Sequence, residues 1–248
     1  MNRGFTLVEL SIVLVIIGLL IGGILVGQSL IESSKINSFI KQIQQYDIAT
    51  RNFKMKYKYL PGDSPVHHSI ANGDGVILDT LNTLNNYNGE IDFFWPDLSK
   101  EMGGKQYISA TSTLKAGVNF PATSIGDNSG IFASAVFAGV FPTTPKINGW
   151  AVAAWNASTR NYAANTDVHE SLPVTVAMAI DNKIDDAVAN TGSLRAIGNN
   201  AVPTGMYQQE PPRTACATAG AYNIATTEAT PCGIVIEMFA QIGQSVYK

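Results

Sequence analysis

The sequence predicts an α+β protein in which one long N-terminal α-helix, transmembrane in its first half, packs with its second half on an antiparallel β-sheet head. Three observations predict it. From Leu10 to Ile31 the run LSIVLVIIGLLIGGILVGQSLI carries no charge. After Glu32 the apolar residues recur at helical spacing, and beyond residue 90 the chain breaks into short apolar, β-branched segments bounded by turn residues.

The apolar run is long enough to span a bilayer, because a helix rising about 1.5 Å per residue needs about 20 residues to cross about 30 Å of hydrocarbon. Arg3 precedes it without any acid, and Glu32 is the first charge after it. This basic bias keeps the N-terminus cytoplasmic and sends the remainder outward. An ordinary secretory signal would have a longer basic leader, a shorter apolar core and a small-residue cleavage site after that core. Here four residues end in Gly4, followed by Phe5, Thr6, Leu7, Val8 and then Glu9. A carboxylate inside a membrane helix costs roughly 2.5–3.5 kcal/mol on insertion scales, so Glu9 calls for a specific partner.

The segment MNRGFTLVELSIVLVIIGLLIGGILV resembles the class III signal of type IV prepilins and of type II secretion pseudopilins. The likeness lies in the order of features: Arg3 and Gly4 in a short leader, an aromatic Phe5, Glu9 four residues on, then the apolar run. It implies a pilin-like fold, cleavage between Gly4 and Phe5 by a prepilin peptidase, and N-methylation of Phe5. It also implies that Glu9 pairs with the terminal amine of a neighbouring subunit during assembly. Opposite charges attract more strongly at low dielectric than in water, and each relieves the other's desolvation, so such a pair can set the axial register between subunits. One feature departs from the family pattern: the proline that many type IV pilins carry midway along this stretch is missing, and the first proline is Pro61. Gly18, Gly22, Gly23 and Gly27 offer weak points in its place, or small contact surfaces between packed helices.

Past the apolar run, Phe39, Ile43, Tyr46, Thr50, Phe53 and Tyr57 alternate in steps of four and three, and Ile36 and Ile40 widen the stripe. The helix therefore continues to about Tyr59, where Pro61-Gly62 stops it. The expected organisation is a leader over 1–4, a helix over 5–60 with its membrane span at 10–31, and an exported head over 61–248. The segments YKYLPGDSP and NGDG look like the helix exit and first loop of many pilin-like proteins. Asn72 and Asp74, joined by Asp63 or Asp79, offer hard oxygen donors around a glycine turn, part of a calcium loop without its closing bidentate Glu; the other reading is an ordinary Asn/Asp/Gly turn.

In the head, Ile147–Trp155 and Val174–Ile180 read as strands on the long helix, Ile131–Phe141 as a strand or short helix, and Ile234–Phe239 as a last strand or short helix. The stretch Ala179–Ala196 reads as a strand end, a short helix and a Gly turn. Its Asp181, Asp185 and Asp186 read as a solvated face rather than a metal site. Cys216 and Cys232 lack zinc-site spacing and read as a disulfide, the alternative being two buried thiols. Closing a loop of about 15 residues stabilises by roughly 3 kcal/mol, and the bond persists only in an oxidising compartment.

The net charge of −3 and pI of about 5.6 carry no basic footprint for nucleic acid. His67, His68 and His169 form no HExxH, and neither a GxSxG elbow nor a Walker or Rossmann loop occurs, so no enzyme and no cofactor is expected. Asn156-Ala157-Ser158 matches a glycosylation sequon, a weak pattern. The expected function is that of a structural subunit of a type IV pilus or related filament, the alternatives being a secretion pseudopilin or a membrane-anchored binding module that does not polymerise. The expected partners are like or unlike filament subunits, the prepilin peptidase and the inner-membrane assembly machinery. Its expected place is the bacterial inner membrane, then the periplasm or a cell-surface filament.

Overall fold

The computed structural model describes residues 7–78, 89–109, 114–125, 129–136, 147–155, 168–169, 172–197, 216–218, 220–224 and 231–239. In chain order the elements are α1 (Leu7–Tyr57), α2 (Glu90–Met102), β1 (Ser129–Val136), β2 (Ile147–Trp155), β3 (Val168–His169), β4 (Leu172–Pro173), α3 (Val174–Ile184), β5 (Leu194–Ile197), β6 (Ala217–Thr218), β7 (Ala221–Tyr222) and β8 (Pro231–Glu237). This is the α+β arrangement of a long apolar helix and an antiparallel sheet, consistent with a pilin-like fold.

Helix α1 holds 51 residues without a break and is therefore about 77 Å long. Its residues 7–35 include none that is buried, whereas Ile36, Phe39, Ile43, Tyr46, Asp47, Thr50 and Phe53 are buried, with Ile40 and Tyr57 packed at the edge. The amphipathic stripe read from spacing is the face that meets the head.

The main sheet is built around β8. Strand β2 pairs antiparallel with β1 from Ser129↔Ala154 to Val136↔Ile147, and on its other side with β8 from Gly149↔Glu237 to Val152↔Ile234. Beyond β8, β5 pairs Leu194↔Ile236 and β4 pairs Leu172↔Cys232, while β3 extends the partnership of β2. Alternate residues Trp150 and Val152 of β2 are wholly buried, as are Ile234 and Ile236 of β8. Helices α2 and α3 both touch α1; α2 also reaches β1, and α3 reaches β8. Tyr46, Phe94, Trp95 and Trp150 form the aromatic centre, with Tyr46 and Trp95 edge to face at 4.8 Å.

One expectation is corrected. Val174–Ile180 is the start of helix α3 and not a strand: Val176, Ala177, Ile180 and Ile184 are buried at helical spacing, following Pro173 at the N-cap. The apolar run is β-branched, but its burial has a period near 3.6. Ile131–Phe141 is strand as far as Val136, and 137–141 lie outside the described residues. Ile234–Glu237 is strand within β8. Helix α2, with Ile91, Phe94, Trp95 and Leu98 buried, is an element that turn and strand signals do not announce.

Candidate functional site

The N-terminal half of α1 presents a largely apolar, uncharged surface from Leu10 to Ile31. Leu7 is 87% exposed and Leu19 73%, and the helix is long and apolar enough to cross a membrane. Glu9 sits in the first turn, the positive end of the helix dipole, where a carboxylate is favoured. Ser11 donates from Oγ to the carbonyl of Val8 at 2.9 Å, hiding its hydroxyl within the rod. A Cβ built on Gly18, Gly22, Gly23 or Gly27 meets nothing within 4 Å in the single chain. Gly4 and Phe5 lie outside the described residues.

Residues 1–25 match the Prokaryotic N-terminal methylation motif family. They are the class III prepilin signal of type IV pilins and pseudopilins. The signal occupies 25 of 248 residues. No curated protein and no solved structure matches the chain. This signal supports a type IV pilin-like or pseudopilin-like protein and implies processing by prepilin peptidase and assembly into filaments. It points to a structural subunit, and with the apolar α1 it indicates anchoring in a bacterial membrane.

Behind the helix exit, buried acids hold the first loop. Asp63, wholly buried, accepts from Gly73 N at Oδ1 and Gly75 N at Oδ2, both at 2.8 Å. Glu90 at the start of α2 accepts from Asn72 N at 3.1 Å and Leu78 N at 2.9 Å. The two carboxyls interact with each other, and burial, with Asp63 and Asp74 nearby, pushes Glu90 up to about 7; Asp63 is raised by burial as well. Asn72 and Asp74, the calcium candidates, form consecutive Asx turns: Asn72 Oδ1 accepts from Asp74 N at 2.9 Å and Asp74 Oδ1 from Val76 N at 2.8 Å. Their side chains are exposed, and Asp79 lies outside the described residues. Gly62 turns the chain at φ +78°, where an added Cβ would lie 2.2 Å from the Glu90 carbonyl oxygen. The same turn is held from α2 by Asp97, which accepts from Gly62 N at 3.1 Å and faces His68 Nε2 at 2.8 Å.

Cys216 and Cys232 are joined as a disulfide, Cα–Cα 5.4 Å, both wholly buried, linking the segment before β6 to β8. Asp181 is wholly buried, so the solvated-face reading fails for this residue, while Asp186 is exposed. The Asn156 sequon lies outside the described residues, and His169 is placed in β3.

Proposed function

We propose that this chain is a structural subunit of a type IV pilus or a related pseudopilus, not an enzyme, assembled through its apolar N-terminal helix after processing. The observation that carries the proposal is the union of a class III prepilin signal with a helix whose residues 7–35 are unburied in the single chain while its second half is locked into the head. That much exposed apolar surface is satisfied by lipid before assembly and by copies of the same helix afterwards. In this reading prepilin peptidase cuts between Gly4 and Phe5, Phe5 is N-methylated, and Glu9 of one subunit pairs with the new amine of another. The head then stands in the periplasm or on the cell surface.

The test is mass spectrometry of the chain from cells, with microscopy of sheared filaments. The wild-type polypeptide is expected to begin at N-methyl-Phe5 and to occur in filaments. Gly4→Val should leave the leader attached, and Glu9→Ala should be cleaved yet reach filaments at least about tenfold less, since an uncompensated amine is left in the apolar core. A wild-type chain that still begins at Met1 and is never polymeric overturns the proposal.

A further inference from the structure

Helix α3 ends with acids at the end where its dipole disfavours them. Asp181 lies in its last turn, Asp185 caps it and Asp186 follows, so three carboxylates face the negative pole and the orphan carbonyls of a helix C-terminus. One oxygen from each lies within 4.8 Å of the others. Asp181 has no solvent exposure; its Oδ2 accepts from the Tyr222 hydroxyl at 2.7 Å, the Ala187 N–H lies near the carboxyl, and among the described residues no donor meets hydrogen-bond geometry at Oδ1. A buried carboxylate oxygen left without a donor, beside two further carboxylates, is a position that a cation completes.

Among the described residues, hydrogen-bond donors hold two of the acids and one guanidinium lies in their field. Asp185 accepts from Ser193 N, and Asp186 accepts from Val188 N at 2.9 Å and Thr191 Oγ1 at 2.6 Å. These bonds hold the two side chains in place and leave lone pairs on both. Arg195 of β5 is the guanidinium in their field, and it also faces Glu237, so one cation meets several acids.

We infer that Asp181, Asp185 and Asp186 form a Ca²⁺ site at the C-terminus of α3, which clamps the 185–193 loop to the disulfide-bonded hairpin. The donors are all hard oxygens, with no His or thiol in the group. Ca²⁺ takes carboxylate oxygens in a flexible geometry, whereas Mg²⁺ demands a near-ideal octahedron. The clamp follows from connectivity: Tyr222 of β7 is bonded to Asp181, and Ala189 N donates to the Gly220 carbonyl at 3.0 Å.

The test uses the full chain in detergent, stripped with EGTA. Terbium, a luminescent stand-in for calcium, should show aromatic-sensitised emission from the adjoining Tyr222, displaced by CaCl₂. Calcium at a hundredfold excess over Kd should raise Tm by about 5–10 °C. The double variant Asp185→Asn/Asp186→Asn should lose both responses while keeping its Tm in EGTA, because it removes two mutually repelling charges; Asp74→Asn, in the other acidic loop, should retain both. Should the double variant not fold, Asp186→Asn alone, exposed and able to keep its bond to Val188 N, should weaken calcium binding at least about tenfold. A wild-type chain with no calcium-dependent Tm shift, or a site lost with Asp74→Asn and kept in the Asp185/Asp186 variants, overturns the inference.

Discussion

Asp47 shows what one buried carboxylate does for this head. It lies on the inner face of α1, and its Oδ1 accepts from Trp150 Nε1 at 2.8 Å and from Phe239 N at 3.1 Å. Arg51, one turn on, donates to the Phe239 carbonyl at 3.2 Å and stacks over its ring at 4.6 Å. Burial raises the Asp47 pKa, and the two donors and Arg51 pull it back. Asp47→Ala leaves an indole N–H and a backbone N–H without an acceptor, each costing about 1–3 kcal/mol, so a loss of about 2–6 kcal/mol is expected in urea unfolding of the detergent-held chain. Asp47→Asn keeps an Oδ1 able to accept both bonds and should cost about 1 kcal/mol or less. Equal losses in the two variants would show that the carboxylate's charge, and not its acceptor geometry, holds the joint.

At the scale of elements, the loop between α1 and α2 is fastened by acids whose titration sets a direction for stability. Glu90 titrates near 4.5 when unfolded and is pushed up to about 7 in the head; Asp181 rises from 3.8 to about 6. Between those limits the folded head holds protons that the unfolded chain has released, so stability falls with pH. The contribution of Glu90 is full below about 4.5 and is lost as pH rises through about 7, and that of Asp181 is full below 3.8 and is lost through about 6. In EGTA, the unfolding free energy from urea titration should therefore be lower at pH 8 than at pH 5, by on the order of 2 kcal/mol. Glu90→Gln should flatten that slope even though its amide loses one of the two N–H bonds, so the slope and not the level is the readout. None of this was legible in the sequence, because sequence does not show which acids are buried, and some donors arrive from far along the chain, as Trp150 does for Asp47 across 103 residues. What was legible has a local period: the stripe Ile36, Phe39, Ile43, Tyr46, Thr50 and Phe53 repeats with the helix, and Ile147–Trp155 alternates with the pleat. Val174–Ile180 misleads because β-branched residues favour strands, yet the buried positions continue to Ile184 at helical spacing and tertiary contact with α1 and β8 decides. Of the candidate assembly site, the leader, aromatic and acid were legible since they are fixed by order at the chain start, whereas the α3 carboxylates were read as solvent-facing because sequence does not reveal burial.

The whole molecule divides where α1 changes surroundings. Between Leu7 and Lys35 no side chain is buried, and from Ile36 onward the helix supplies seven buried residues to the head. Among the described residues, the core of the head therefore draws nothing from the apolar rod, and the rod has no partner for its greasy surface. Removing residues 1–32 should leave a soluble monomer that unfolds cooperatively at a Tm within about 2 °C of the detergent-held full chain, because each kcal/mol of lost packing would shift Tm by about 2–4 °C in a domain of this size. The full chain, placed in detergent and then diluted below its micelle threshold, should instead self-associate, as sedimentation velocity would register. Stability and association thus belong to separate halves of one helix, and a truncated head that melts well below the full chain, or that still self-associates, would show that the two halves are coupled.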